Sequence, residues 1–276
     1  MHLPSPDHSI VTFAGRDALT FLQSQLTNDV AELTVGGWRW QGYCSAKGRL
    51  QATFALARTG EDSFAAVVHN SVAAALTKRL TMFRFRAILT IELSASLIAT
   101  LHLVQPDIAQ NPLVLIELGH GRWVTIATAS APTVDLPTLA SGTTDASRAF
   151  MQRWNLLGIK GMQPEITAGT AEMFVPQMIN WDHVQPSGGV SFSKGCYPGQ
   201  EVVARAHYRG AVKRQLELHS LPRLAGTSGL DVGAETTLPD GRVATICNLA
   251  EQSPNVDLAL LVVARPDEAA QQQVSI

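Results

Sequence analysis

The chain has 276 residues, 21 Lys and Arg against 23 Asp and Glu, and a formal net charge of −2, which excludes a globally basic nucleic-acid coat and a highly charged disordered tail. Apolar residues make up 46% and charged residues 16%, so the chain can bury a large core spread over two or three modest domains. Apolar runs such as Leu113 to Leu118 and Leu258 to Ala264 fall far short of the roughly 20 residues that span a bilayer, so no membrane partner is expected. Met1 to Asp7 carries two prolines and no Lys-flanked apolar stretch, so it does not read as a signal peptide, and a cytoplasmic location is expected. The three cysteines, Cys44, Cys196 and Cys247, include no C-x-x-C pair. That argues against a disulfide framework, a zinc site or a self-ligated iron–sulfur cluster.

In chain order, Ser9 to Phe13 reads as a strand. Gly15 breaks it, and Asp17 opens a helix in which Leu19, Leu22 and Leu26 recur at helical spacing. Thr27, Asn28 and Asp29 suit its end. Trp38, Trp40, Gly42 and Cys44 then alternate with polar neighbours, and after Lys47-Gly48 a second alternating run places Leu50, Ala52, Phe54 and Leu56 on one face, a hairpin pattern. Phe64 to Val68 forms a third run, and Asn70 is the expected N-cap of a helix with Val72, Leu76 and Leu80 on one stripe. Further strands are expected at Ala87 to Leu93, Leu97 to Val104, Leu113 to Leu118 and Trp123 to Ala127. After a Pro, Thr and Ser-rich loop from Ser130 to Thr144, Asp145 caps a helix carrying Phe150, Trp154 and Leu157 that Gly158 is expected to stop. Helices among short strands predict an α+β fold with antiparallel sheets. From Ala211 the helical stripes vanish, and alternating runs at Val212 to Leu218, Val243 to Leu249 and Val256 to Val263 predict a small C-terminal β-barrel.

The segment richest in chemistry is Phe192-Ser193-Lys194-Gly195-Cys196-Tyr197-Pro198-Gly199-Gln200-Glu201-Val202-Val203-Ala204-Arg205. Two glycines and a proline within five residues force a tight loop around one thiol, and Gln200 to Ala206 can continue as a helix. Lys194 and a helix N-terminus would both favour the thiolate. The competing reading is a buried cysteine that packs as a small hydrophobe.

Lys194 to Glu201 resembles the signature loop of the folate-binding YgfZ family, relatives of the glycine-cleavage T-protein and of a mitochondrial iron–sulfur maturation factor. Other landmarks follow in the same order: Phe21 to Val30, Ala46-Lys47-Gly48-Arg49, Phe174 to Asn180, and Tyr208-Arg209-Gly210 before Lys213-Arg214. The resemblance covers nearly the whole chain. It implies a ring of two mixed α/β modules, intertwined over residues 1–210 with the second centred on about 41–140, enclosing a folate site, and a barrel over 211–276. It also implies tetrahydrofolate, or a one-carbon derivative, as cofactor, and a role in maintaining iron–sulfur enzymes, including client enzymes that thiolate tRNA. Carried over to this chain, Cys196 is the reactive residue, and Lys194, Gly195, Tyr197, Gln200, Glu201, Arg205, Gln177, Asn180, Phe150 and Asn28 are the candidate folate contacts. Phe150 may equally be read as core and Asn28 or Asn180 as helix caps. T-proteins carry an acidic pair where this chain has Ala52 and Thr53, neither of which is ionisable, so glycine-cleavage aminomethyl transfer is disfavoured. A folate-dependent transferase with another substrate and a non-catalytic folate-binding scaffold stand as alternatives.

Five cations between Lys194 and Arg214, against Glu201 alone, suit an anionic ligand such as a polyglutamyl tail, or a weak contact with RNA. Aromatic and basic residues are not interleaved as in base-stacking modules, so direct nucleic-acid binding is not expected, and the chain is expected to be a monomer. Cys44 and Cys196 belong to neighbouring landmarks and could form a reversible disulfide. Alternatively Cys44 is core, and Cys247, in a barrel strand, is expected to be inert.

Overall fold

The computed structural model describes residues 2–107, 112–129, 145–210, 212–223 and 230–265. Three antiparallel sheets and four helices make up the fold. The first sheet, in the order β3-β4-β5-β2-β6, joins β2 (His8–Ala14), β3 (Trp38–Cys44), β4 (Leu50–Gly60), β5 (Ser63–His69) and β6 (Thr90–Leu93). The second runs β1-β7-β9-β8, from β1 (His2–Pro4), β7 (Leu97–His102), β8 (Val114–Gly119) and β9 (Arg122–Thr128). The third, β10-β13-β12-β11, comprises β10 (Arg214–Pro222), β11 (Glu235–Thr237), β12 (Val243–Ser253) and β13 (Val256–Ala264).

The five-stranded sheet is buried on both faces, which is why Phe64 to Val68 reads as a continuous apolar run rather than an alternating one. One face carries Phe13, Phe54, Leu56 and Phe64 against α1 (Ala18–Gln25) and α2 (Asn70–Phe83), which contribute Leu22, Val72, Leu76 and Leu80. The other face carries Trp40, Ala55, Ala57 and Val67 into a larger core shared with the second sheet, with α3 (Asp145–Lys160) and with β13. Strand β13 serves two cores by its period of two: Leu258, Leu260 and Val262 enter the large core, while Ala259, Leu261 and Val263 form a smaller one with Ile246 and Leu238. Register shifts at Ile246/Asn248 and Glu251/Ser253 bend β12, and the sheet curls as a half-barrel. The small barrel of the sequence reading is therefore seen as an open, four-stranded sheet among the described residues.

Several boundaries differ from the sequence reading. Helix α3 runs through Gly158 to Lys160; the glycine is not a stop but a slot, because a Cβ there would lie 2.6 Å from Arg122 Nη1. Helix α2 is capped by His69, whose ring accepts from Ser71 N, while Asn70 bonds Ser9 Oγ and Pro6 O. Strand β6 starts at Thr90 rather than Ala87 because the chain turns there, with Phe85 at φ +46° and Ala87 N bonded to Arg84 O. Strands β1 and β11 escaped the pattern reading, since three residues carry too little periodicity. The loop Ser130 to Thr144 lies outside the described residues, as does Ala211. No helix among the described residues is long and apolar enough to cross a membrane.

The β3–β4 turn meets the Cys196 loop through two glycines. Gly199 (φ +79°) opens α4 (Gln200–Arg209), and a Cβ on it would lie 2.4 Å from Ser45 O and 2.6 Å from Gly48 Cα. Gly48 (φ +70°) leaves no more room, since its Cβ would lie 2.7 Å from Val202 Cβ. Gly199→Ala should therefore destabilise the fold by roughly 2–4 kcal/mol in urea denaturation, combining left-handed strain with a backbone clash. Gly195→Ala, with nothing within 4 Å of the added atom, should stay within about 0.5 kcal/mol of the parent. Equal costs for the two variants would refute this docking.

Candidate functional site

Helix α1 ends in carbonyls that have no partner within the helix. Lys194 Nζ fills that gap, donating to Gln23 O (2.6 Å), Leu26 O and Asn28 O (3.3 Å). A cation at a helix C-terminus is electrostatically favoured. Burial nevertheless pushes the ammonium down to about 8, with Asp29 opposing that shift. The Tyr197 ring centroid lies 5.3 Å from the same Nζ, and burial raises the tyrosine hydroxyl. Two buried anchors, Lys194 and Tyr197, thus bracket Gly195 and Cys196, both of which are exposed. The buried reading of Cys196 is excluded by that exposure. Cys44, by contrast, is 1% exposed and its thiol is pushed up to about 12 by burial, as is that of Cys247. All three cysteines are free, so Cys44 belongs to the core and does not bridge to Cys196 in this structure.

The neighbouring landmarks reinforce the same frame. Thr27 Oγ1 donates to Gly189 O (2.6 Å), and Asn28 Nδ2 donates to Gly188 O (3.0 Å) and Trp40 O (3.1 Å) while its Oδ1 accepts from Asp29 N. The Asn28 amide is fully engaged with main chain, clamping β3 to the segment that leads into the Cys196 loop. Gln177, in the short 3-10 turn Pro176–Ile179, donates Nε2 to Val203 O of α4 (2.9 Å), and its buried Oε1 has no partner. Asn180 ends that turn in the left-handed region and is half-buried. Gln200 is half-buried, whereas Glu201 and Arg205 are exposed on α4. Phe150 is 2% exposed in the core, with its ring stacked 6.4 Å from that of Trp154.

A second constellation lies deeper, in a cavity of about 230 Å³ between the five-stranded sheet, the second sheet, α3 and β12. Its walls include Trp40, Trp154, Trp181 and Phe54, and it contains an ion pair that pattern reading missed. His8 Nε2 lies 2.8 Å from Glu165 Oε1, and His8 Nδ1 lies 2.8 Å from Ser5 Oγ. Arg122 is buried with its guanidinium 4.9 Å from the Trp154 ring centroid and hydrogen-bonded to Gln163; burial pushes it down to about 10. Arg122 Nε and Trp181 Nε1 are buried donors without a partner. Thr53, at one of the positions where a T-protein acid would stand, lines the cavity and accepts from Ile166 N through Oγ1 (2.9 Å). None of the ten candidate folate contacts, nor Cys196, is among the lining residues. The two places are joined by one stretch of chain, since Gln177 holds α4 and Trp181 faces the cavity. The only sequence cue to Glu165 and Arg122 was their charge within apolar stretches of a chain poor in charge. Their partners stand far away in the sequence, 157 positions in the case of His8 and Glu165.

Burial alone would lower His8, but the Glu165 charge and hydrogen bond, aided by Asp7, outweigh it and raise His8 above its ordinary 6.5. Burial would likewise raise Glu165, but His8, with His69 and Arg122, holds it below its ordinary 4.5. A raised histidine stabilises the fold below 6.5 and loses that contribution as pH climbs through its folded value. A lowered carboxyl stabilises above 4.5 and loses its contribution as pH falls through its folded value. Glu165→Gln should therefore lower stability most between pH 4.5 and 6.5, by about 1–3 kcal/mol, with the deficit shrinking on either side. Denaturant midpoints measured across this range check it, and a deficit independent of pH would contradict the ion pair.

No family model matches the chain. Curated relatives do: the tRNA-modifying protein YgfZ of Vibrio vulnificus (strain CMCP6) is 31% identical over 232 residues, covering 79% of this chain and 68% of the relative. The protein of the same name from Pectobacterium atrosepticum is 33% identical over 231 residues (76% and 67%), and that from Serratia proteamaculans is 29% identical over 280 residues (92% and 82%). With the first two relatives, as with a further YgfZ protein from Vibrio vulnificus (strain YJ016) at 66%, the match spans about two thirds of the relative's length. Among solved structures, the glycine cleavage system aminomethyltransferase T from Bartonella henselae superimposes with a TM-score of 0.63 over 95% of this chain and 78% of its own, at 14% identity, a likeness of fold. With relatives at this level of identity over most of its length, and with the signature loop built around an exposed thiol, the chain belongs to the YgfZ family.

Proposed function

We propose that this protein binds tetrahydrofolate, or a one-carbon derivative of it, and acts as an accessory factor in iron–sulfur cluster biogenesis or repair, indirectly supporting iron–sulfur enzymes that modify tRNA. The relatives' name, tRNA-modifying protein, and the T-protein-like fold support this reading. In it, residues 1–210 are the folate-binding region and 211–276 the C-terminal β region that packs against it, the protein works as a cytoplasmic monomer, and Cys196 is the reactive group toward client enzymes.

The observation that carries the cofactor is the cavity's donor and acceptor set. A pterin has a flat face and an edge of alternating N–H donors and carbonyl or ring-nitrogen acceptors. The cavity offers three indole walls, the Glu165 carboxylate as acceptor, and the polar side chains of Asn155 and Gln163 along its lining. A cavity of about 230 Å³ suits a fused-ring headgroup whose tail leaves it. The bound cofactor would supply one-carbon chemistry. The chain's own contribution is to exclude water with indole walls, orient the edge with Arg122 and Glu165, and hold a proton between His8 and Glu165. That proton carrier favours, as a second reading, a folate-dependent one-carbon transferase; the absence of an ionisable group at Ala52 and Thr53 separates it from aminomethyl transfer.

Calorimetry should show tetrahydrofolate binding to the folded protein, with a thermal stabilisation that grows with ligand concentration. Glu165→Gln should weaken that binding about tenfold, the effect of one lost charged hydrogen bond. Absence of heat with folded protein would remove folate from the reading. In a deletion strain assayed for iron–sulfur enzyme activities, Cys196→Ala should fail to complement while folding normally, because Cys196 is exposed. Full complementation would leave the non-catalytic scaffold.

A further inference from the structure

The closure of the Cys196 loop brings Phe192 onto helix α4 and so assembles a surface of rings and cations. Phe192, four residues before Cys196, stacks on His207 of α4 with ring centroids 3.7 Å apart and planes 19° apart. Tyr208 stands edge-on to both, 5.0 Å from His207 and 6.4 Å from Phe192, and is 72% exposed. The Phe192–His207 stack closes the base of the loop that presents the thiol. Phe192 is therefore within about 14 Å of Cys196 along even a fully extended chain. On α4, Arg205 neighbours both Tyr208, three residues on, and Arg209, four residues on, and all three are exposed. A single exposed tyrosine would need no explanation. A three-ring cluster braced by stacking, on a helix with two exposed arginines and on the loop-and-helix unit that presents Cys196, is a built platform.

We propose that this platform binds single-stranded RNA, with an unpaired base stacked on Tyr208 and phosphates contacted by Arg205 and Arg209. The proposal rests on the reading above that links the protein to tRNA modification, and it names the substrate class brought to the Cys196 face. Charge selects an anion, since the stripe carries two arginines against Glu201 in a chain of net charge −2. The rings select among anions: a polyglutamyl tail or an acidic peptide has no π face to place on Tyr208, whereas every nucleobase has one. Arg205, His207, Tyr208 and Arg209 lie within five residues, but the three-ring cluster exists only once the loop's closure brings Phe192 onto His207.

The test is fluorescence anisotropy with the full chain and a labelled oligouridylate of about 12 nucleotides. Binding is expected at low salt. Tyr208→Ala should weaken it roughly tenfold and Tyr208→Phe should preserve it, because stacking uses the ring and not the hydroxyl. Arg209→Gln should reduce the slope of log affinity against log salt by about 0.7, the value for one lost phosphate contact on a single strand. Tetrahydrofolate affinity, measured by calorimetry on Tyr208→Ala, should not change, so failure of the RNA platform and failure of the folate reading are separable. The proposal is overturned if the oligonucleotide does not bind, if Tyr208→Ala binds as the parent does, or if an RNA duplex of equal length binds as tightly. Competition by oligoglutamate as effective as that by RNA would overturn it too, and would assign the face to an acidic protein partner.

Discussion

The ammonium group of Lys194 holds the Cys196 loop in place. The carbonyls of Gln23 in α1, of its C-cap Leu26 and of Asn28 just beyond converge, unsatisfied acceptors there are expensive, and Lys194 supplies three donors to them at once. Desolvation disfavours the charge, yet no aliphatic or shorter side chain could satisfy three converging carbonyls from a loop 166 to 171 residues away. With Lys194 and Tyr197 turned inward, Cys196 has nowhere to go but outward. The thiol's exposure is thus a consequence of how its neighbours are anchored.

The second consequence is rigidity. Gly199 lies against Gly48 with no space for a side chain on either, so the β3–β4 turn and the start of α4 are held at a fixed separation. Thr27 and Asn28 bond the approach to the loop, and Gln177 bonds α4 from the far side. A thiol on a loop fastened at this many points loses little freedom when a partner docks.

The cavity follows a different logic. Arg122 is buried at a tolerable cost because it lies over Trp154 and bonds Gln163, while the partly buried His8 and Glu165 pair with each other. Gly158 matters here as well, since any larger residue in α3 would displace the Arg122 guanidinium.

Periodicity determined a good part of the fold by itself: the β3–β4 hairpin, the stripe of α2, and the three long strands of the C-terminal sheet follow from which positions are apolar, whereas α1 buries Ala18, Phe21 and Leu22 and ends before Leu26. The Cys196 loop was equally legible, because two glycines and a proline around one thiol constrain the backbone locally. Pattern states which face is buried but never against what. So Gly158, which reads as a helix stop, is a slot for Arg122, and Lys194, which reads as a cation beside a thiol, turns inward onto α1. Asn28 and Phe150, nominated as ligand contacts, engage main chain and core respectively. His8 meets Glu165 across 157 positions, and Phe192 meets His207 only once the loop has closed. Each of these depends on a pair of distant residues sharing one small volume, and a distance of that kind exists only after the sheets have packed.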